Sequence, residues 1–471
     1  MKQQPAQQWR RRQKTSDSAK SRAQDTVLSR FNANAAGIDV GASSHWVAVP
    51  ADRDEQAVRC FGTFTADLYA IAQWLEQCAI QTVVMESTGI YWIPLFEVLE
   101  TRGFDVKLID AHHVKQVPGR KTDVQDCRWL QELHSYGLLR GAFRPEDEVC
   151  ILRSYLRQRE GLIGDASRAI QHMQKALEQM NVKLTEVVSD ITGKTGMTII
   201  RLILAGERDA ETLAKHRDPR CKQDQATLRK ALQGTWRQEH VFALEQAVAR
   251  YDFFHEQICA CDQQIEACLK TFETKAEIEE ASQRPRRRQG NTPDFDVWTL
   301  LYQMTGVDLT QIDGIDVLGA LKVISEIGLD MTRWPTVKHF TSWLGLCPGN
   351  KISGGKRYRS RTKPTANRAA AAFRLAAQTL SHSHSALGAY YRRMRARLGA
   401  PGAITATAHK LARIVYSMLR HGVPYVDVGQ HAYEQQYRDR AVKNLKRNAR
   451  AFGFALVPME GINPEQATAT P

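Results

Sequence analysis

Four carboxylates in this chain have the residue types and the spacing for metal-dependent chemistry. Asp39 lies in a short apolar strand pattern, and Glu86 ends a second apolar stretch, 81–86. Asp123 and Asp126 stand three apart at the start of a helical pattern, so both side chains project from one face. Such oxygen ligands suit Mg²⁺, and two ions about 4 Å apart can clamp the attacking and leaving oxygens of a phosphodiester. The pattern therefore indicates Mg²⁺-dependent chemistry on nucleic acid.

The distribution of charge also indicates that the protein binds nucleic acid. The chain carries a net charge of +14, and residues 331–426 contain 17 Lys and Arg but no Asp or Glu. A field of one sign disfavours a compact fold unless phosphates neutralise it, although a solvated basic face is the simpler alternative. The candidate phosphate contacts are Lys351, Lys356, Arg357, Arg359, Arg361, Lys363 and Arg368.

Composition narrows the class of protein. A length of 471 residues allows about three domains. No apolar run reaches the roughly 18 residues of a membrane span, and the basic N-terminus lacks the apolar core of a secretory signal. The nine cysteines form no C-x-x-C pair, which favours reduced thiols and a cytoplasmic location.

The elements that must position the carboxylates form a mixed α/β pattern over residues 35–145, after a basic, disordered arm at 1–34. The first two strands read as a hairpin across residues 41–44, and alternating helices and strands follow, so we expect a mixed sheet flanked by helices. The predicted strands are 35–40, 45–50, 57–64, 81–86 and 104–110, and the predicted helices are 66–79, 92–103 and 123–137.

Residues 146–280 carry two long helical arms with apolar residues three, four or seven apart. This spacing predicts an antiparallel coiled coil or a dimerisation element. Between the arms, the sequence Thr-Gly-Lys-Thr-Gly at 192–196 is not a phosphate-binding P-loop, because Val188 stands where that motif needs glycine. We therefore expect no nucleotide to be bound. Residues 281–294 are interpreted as a linker.

A mostly helical C-terminal domain is predicted over 295–425, followed by a tail at 426–471. Residues 312–319 resemble a helix-hairpin-helix DNA-binding element, although a plain helical turn explains them equally well. Ser353 precedes two glycines, which place its hydroxyl on an adaptable backbone amid the basic residues above. The alternative is that Ser353 is an ordinary turn serine. For the nearby Ser342 and Ser360 we expect no catalytic role.

Several motifs, taken in order, resemble the DEDD insertion-sequence transposases, RuvC-like serine recombinases that use a guide (bridge) RNA. They are the strand ending in Asp39, Glu86-Ser87-Thr88-Gly89, Lys121 to Asp126, Ile312 to Ile315, Leu344-Gly345-Leu346 with Pro348, and Ser353-Gly354-Gly355-Lys356. The similarity covers about 35 to 425, although residues 364–367 depart from the pattern that many members show after the lysine matching Lys363.

This resemblance implies a RuvC-like (RNase H-like) N-terminal domain, then a coiled coil, then a serine-bearing domain. It implies that Asp39, Glu86, Asp123 and Asp126 hold Mg²⁺ and that Ser353 attacks DNA to form a phosphoserine. Donor and target DNA, a guide RNA and a homodimer or tetramer are the implied partners. The rival hypotheses are a metal-dependent nuclease, similar to a junction resolvase, that activates water, and a binding module with inert acids.

Overall fold

The computed structural model describes residues 30–86, 89–109, 122–277, 291–359, 362 and 364–457, with 351–352 and 357–359 described by backbone alone. Most of the predicted arm and linker lies outside these ranges. The contacts divide the chain into two compact units, Met1–Arg144 and Pro145–Pro471. No helix of the described ranges has the length and apolar character that crossing a bilayer requires.

The first unit contains a five-stranded mixed sheet. Its strands are β1 (Ala35–Val40), β2 (His45–Ala48), β3 (Val58–Phe61), β4 (Thr82–Glu86) and β5 (Asp105–Ile109). They lie in the order β3-β2-β1-β4-β5. β1 to β3 form an antiparallel meander, whereas β1, β4 and β5 run parallel. The predicted strands and the first hairpin are confirmed, each within a few residues.

Three helices of this unit cover the two faces of the sheet. They are α1 (Thr65–Gln77), α2 (Trp92–Thr101) and α3 (Asp123–Ser135). Ile38 and Met85 belong to a core formed with α1 and α2, while Val84, Ile109 and Leu130 form a smaller core against α3. Because side chains alternate along a strand, this division fixes which strand residues face α3.

The second unit is largely helical, as predicted. Its first part holds α4 (Asp147–Gln179), α5 (Leu184–Val187), α6 (Lys194–Leu204), α7 (Ala210–Ala214), α8 (Gln225–Ala231) and α9 (Gln238–Leu269). The long helices α4 and α9 pack against each other, with Arg159 forming a buried ion pair with Asp262 and the Cys268 thiol reaching the carbonyl of Glu148. These contacts run in opposite directions, so α4 and α9 pack antiparallel within one chain.

The rest of the unit comprises helices and one hairpin. The elements are α10 (Val297–Thr305), α11 (Val317–Ile327), α12 (Val337–Trp343), β6 (Lys351–Ser353), β7 (Lys356–Arg359), α13 (Arg368–Thr379), α14 (Ala386–His421) and α15 (Gly429–Ala451). Alanine is frequent in α13 and in the second part of α14, which follows a kink at Gly399 and Pro401.

Candidate active site

Asp39 and Glu86 stand on neighbouring parallel strands at the same edge of the sheet. β1 and β4 pair with Ile38 opposite Met85, so the two acidic residues follow at the next position of each strand. The alternation that sends Ile38 and Met85 towards α1 and α2 sends both carboxylates to the opposite face, the one that α3 covers. Both residues are half-buried.

The direction of α3 brings its first turn to this edge. The side-chain Nε2 of Gln131 donates to the backbone carbonyl of Ala35, near the start of β1, at 3.2 Å. At the other end of β1, burial raises the pKa of the Cys127 thiol to about 12, and the charge of Asp39 adds to the rise. The helix therefore runs antiparallel to β1, and the turn that precedes Cys127 lies towards Asp39.

Asp123 and Asp126 occupy that first turn because the local sequence starts a helix there. Thr122 caps the helix by accepting a hydrogen bond from the amide of Gln125 at 3.3 Å. Acidic side chains in a first turn also interact favourably with the helix dipole. Asp123 is exposed and Asp126 is half-buried. The favourable place of acidic residues in a first turn is thus a structural explanation for Asp123 and Asp126. The direction of α3 also brings this turn towards the end of the sheet where Asp39 and Glu86 lie.

The donor set fits a hard divalent cation. All four side chains supply carboxylate oxygens, the ligands that Mg²⁺ prefers. Within the described ranges, no three His, Cys, Asp or Glu side chains lie close enough together to enclose an ion. A closed cage is not required, because Mg²⁺ usually keeps several waters and binds through one or two carboxylates and the phosphate of a substrate. Asp39 and Glu86 are the pair best placed for that role.

Ser353 lies at the tip of the hairpin formed by β6 and β7. It pairs with Lys356 across a two-residue turn made of Gly354 and Gly355, whose φ angles are +53° and +75°. Two consecutive positive φ angles are the geometry that glycine adopts without strain. The side chains of Ser353 and Lys356 are both exposed, so the turn presents a hydroxyl next to an ammonium group.

The predicted phosphate contacts are only partly described. The backbone of β7 places Arg357 and Arg359 on the strand that follows the turn, and Lys351 begins β6. Arg361 and Lys363 lie outside the described residues. Arg368 begins α13 and donates to a carboxylate oxygen of Glu160 at 2.9 Å. Because exposed ion pairs contribute about 1 kcal/mol or less, a phosphate can replace this partner.

The segment that resembles a helix-hairpin-helix element forms the entry to α11. Gly314 turns the chain with a φ of +88°, and Asp316 caps the helix by accepting from the amide of Gly319 at 2.7 Å. This carboxylate occupies one first-turn donor and adds a negative charge at the helix start. Both effects oppose the binding of an anion there, so the observed geometry favours a structural turn.

Gly37 is a positioning residue that the sequence analysis does not single out. A Cβ atom at this position would lie 2.3 Å from the backbone nitrogen of Gln131 and 2.5 Å from the carbonyl oxygen of Cys127. Only glycine allows α3 to approach β1 this closely. A glycine inside an apolar strand is the signal that could have identified this close approach.

Comparison with known proteins adds two matches. A family model of transposases, DEDD_Tnp_IS110, matches residues 36–182, which include all four carboxylates. A second model, described as transposase IS116/IS110/IS902 family, matches residues 308–392, which include Ser353. No curated protein matches the chain. Both matched segments are therefore similar to transposase domains of the IS110 family.

Proposed function

We propose that this chain, whose two IS110-family domains support a transposase of an insertion sequence, cuts and rejoins DNA through a covalent phosphoserine. Ser353 is the proposed nucleophile, and Asp39, Glu86, Asp123 and Asp126 are the proposed Mg²⁺ ligands. The observation that carries the proposal is the pairing of two half-buried carboxylates on one face of one sheet edge, towards which the first turn of α3 points.

The chemistry at Ser353 follows from its surroundings. Its oxygen would bond to the scissile phosphorus while the bond from phosphorus to the 3′ oxygen breaks, and the departing oxygen would take up a proton to become a 3′ hydroxyl. Lys356, opposite Ser353, would offset the negative charge that develops on the phosphate. Because the phosphodiester energy is kept in the serine link, a 3′ hydroxyl can reverse the step without ATP.

Serine needs activation, since its hydroxyl is a weak nucleophile. No carboxylate occurs between residues 331 and 426, so the stretch that carries Ser353 holds neither an acidic base nor a carboxylate metal ligand. The acidic residues of the first unit would supply this function, from the same or another subunit. Mg²⁺ bound there would polarise the phosphate and stabilise its developing charge.

The wider proposal includes an RNA guide and an oligomer. Cutting both DNA partners by this route requires at least two copies of Ser353, hence a dimer or a tetramer. A guide RNA would select the DNA by base pairing, and the protein would then contact mainly phosphates. The 17 cations and absent acids of residues 331–426 support such a backbone-contacting surface.

A denaturing gel tests the covalent step. Purified protein is incubated with labelled element-end DNA, the candidate RNA and Mg²⁺, using wild type, Ser353→Ala and the control Ser342→Ala. Ser342 is an exposed serine on α12 of the same unit. We expect a protease-sensitive shifted band with wild type and Ser342→Ala, and none with Ser353→Ala.

A second pair of variants tests the carboxylates. Glu86→Gln should lower formation of the shifted band by about 100-fold or more, on the scale of removing a group that stabilises transition-state charge. Asp105→Asn is its control. Asp105 begins β5, at the end of the strands opposite to Glu86, so this variant should leave the band intact. Free cleaved DNA from both wild type and Ser353→Ala, with no shifted band, would instead support a hydrolytic nuclease.

A further inference from the structure

The C-terminal helix α15 is anchored at one end only. Its first residues pack on α14, where the guanidinium of Arg393 lies over the rings of Tyr433 and Tyr437 and donates to the Tyr433 hydroxyl at 3.1 Å. Arg392 donates to the amide oxygen of Gln430 at 2.8 Å. No residue of the helix is buried. From Arg438 onward the helix therefore has a fixed direction and an open surface.

This open part carries cations on one face. At 100° per residue, five basic side chains of α15 fall within an arc of about 120°. They are Arg440, Lys443, Lys446, Arg447 and Arg450, and they are called the basic face below. All five are exposed, and the sequence from 440 to 457 contains no Asp or Glu. The segment lies beyond both matched transposase domains and beyond the acid-free stretch 331–426.

We propose that the basic face of α15 binds the phosphates of duplex DNA, as an anchor separate from the residues around Ser353. Five unopposed cations over about three turns form a field that phosphates neutralise favourably. The anchoring contacts of Tyr433 and Arg393 hold the helix in place, so little ordering entropy is lost on binding. The inference takes DNA as the partner from the transposase assignment and requires neither Ser353 nor bound Mg²⁺.

Duplex DNA fits this helix better than duplex RNA does. An α-helix with its side chains is about 10–12 Å wide, close to the roughly 12 Å width of the major groove of B-form DNA. The major groove of A-form RNA is deep and too narrow for such an element. The contacts would be to the backbone, so they would add affinity without selecting a sequence.

The salt dependence of DNA binding tests the proposal in the full-length protein. One variant carries Lys443→Gln, Lys446→Gln, Arg447→Gln and Arg450→Gln, which retain helix propensity. Binding to a labelled DNA duplex of unrelated sequence is followed by fluorescence anisotropy from 50 to 300 mM NaCl, with EDTA present. Each lost phosphate contact lowers the slope of log Kd against log salt by about 0.9, so the loss of four contacts should lower the slope by about 3.6 and weaken binding about tenfold or more.

A control variant removes the same number of charges from paired cations. It carries Arg168→Gln, Lys183→Gln, Arg220→Gln and Lys270→Gln, and each of these side chains forms an ion pair with a nearby carboxylate. We expect its slope to fall by less than about 1. Equal slopes for the two variants would refute the proposal, because net charge alone would then explain the loss.

Two further outcomes would also overturn it. If the α15 variant lost affinity for an RNA duplex and kept its affinity for DNA, the partner would be RNA. If light scattering showed that the α15 variant had become a smaller oligomer, the helix would be an interface between copies. Failure of the phosphoserine proposal would leave these results unchanged, since binding is measured without Mg²⁺ and without strand cleavage.

Discussion

At the scale of single residues, His134 connects α3 to the sheet that carries the carboxylates. Its ring nitrogen Nε2 lies 2.9 Å from the hydroxyl oxygen of Thr82, and the side chain is fully buried. Burial, with the nearby charge of Lys107, lowers the pKa of His134 to about 4. The imidazole is therefore neutral in the folded protein at pH 7 and binds its proton more readily once the chain unfolds.

This difference predicts a dependence of stability on pH. Between pH 6.5 and pH 4 the unfolded state binds more protons at His134 than the folded state does, so stability falls as the pH is lowered through this range. Going from pH 7 to pH 5 should cost about 2 kcal/mol from this one residue. Thermal melts of wild type and His134→Gln at both pH values measure it, and the variant should show a smaller loss on acidification.

His431→Gln is the matched control, because His431 is an exposed histidine on α15. It should lose as much stability on acidification as wild type. If His134→Gln also behaved like wild type, the assignment of the pH dependence to the buried imidazole would be wrong.

At the scale of elements, the contact between β1 and α3 sets where the two aspartates of the helix stand. Gly37 faces the backbone of Cys127 and Gln131 with no space for a side chain. Asp126 directly precedes Cys127 in the helix, Asp123 lies about one turn before Cys127, and Asp39 lies two residues after Gly37 in the strand. Moving the helix outward therefore moves one pair of carboxylates relative to the other.

Gly37→Ala should affect both stability and metal binding. The added methyl group forces backbone apart, which costs about 1–3 kcal/mol and lowers the melting temperature by a few degrees. Mg²⁺ should then raise the melting temperature of the variant less than that of wild type, because the first turn of α3 would move relative to Asp39 and Glu86. Differential scanning fluorimetry with and without Mg²⁺ measures both effects.

Gly164→Ala is the control, since a methyl group at this exposed position of α4 meets no atom within 4 Å. Alanine in a helix interior should stabilise by up to about 1 kcal/mol and leave the effect of Mg²⁺ unchanged. A Gly37→Ala protein with the melting temperature and the Mg²⁺ response of wild type would show that α3 can shift without moving the site.

The sequence predicts much of this arrangement and misses specific parts. Apolar runs and the hairpin turn predict all five strands, because the period of side chains along a strand is visible in the residues themselves. Strand alternation also explains why Asp39 and Glu86 share a face. The packing distance at Gly37 depends on the backbone of Cys127 and Gln131, which are far away in the sequence, so no local pattern encodes it. The cap at Asp316 and the basic face of α15 follow local patterns, but the hydrogen bond of the one and the exposure of the other come only from the structure.

At the scale of the whole molecule, the residues proposed for the chemistry are divided between two compact units. The carboxylates belong to the first unit, and Ser353 belongs to the second. Residues 331–426 supply cations alone, whereas the first unit offers acids at its sheet edge. The proposed covalent step therefore requires both units to act on the same phosphate, and neither would be sufficient alone.

This division predicts that a loss in either unit stops the covalent step. Ser353→Ala should abolish formation of the covalent complex because it removes the proposed nucleophile, and Asp39→Asn should reduce it by about 10³-fold or more, since groups that act in one step fail together. Initial rates of complex formation measure this, and unchanged DNA affinity of both single variants would show that chemistry is lost. If instead Asp39→Asn formed the complex at the wild-type rate, Ser353 would act without the acidic edge. The two units would then perform separate reactions.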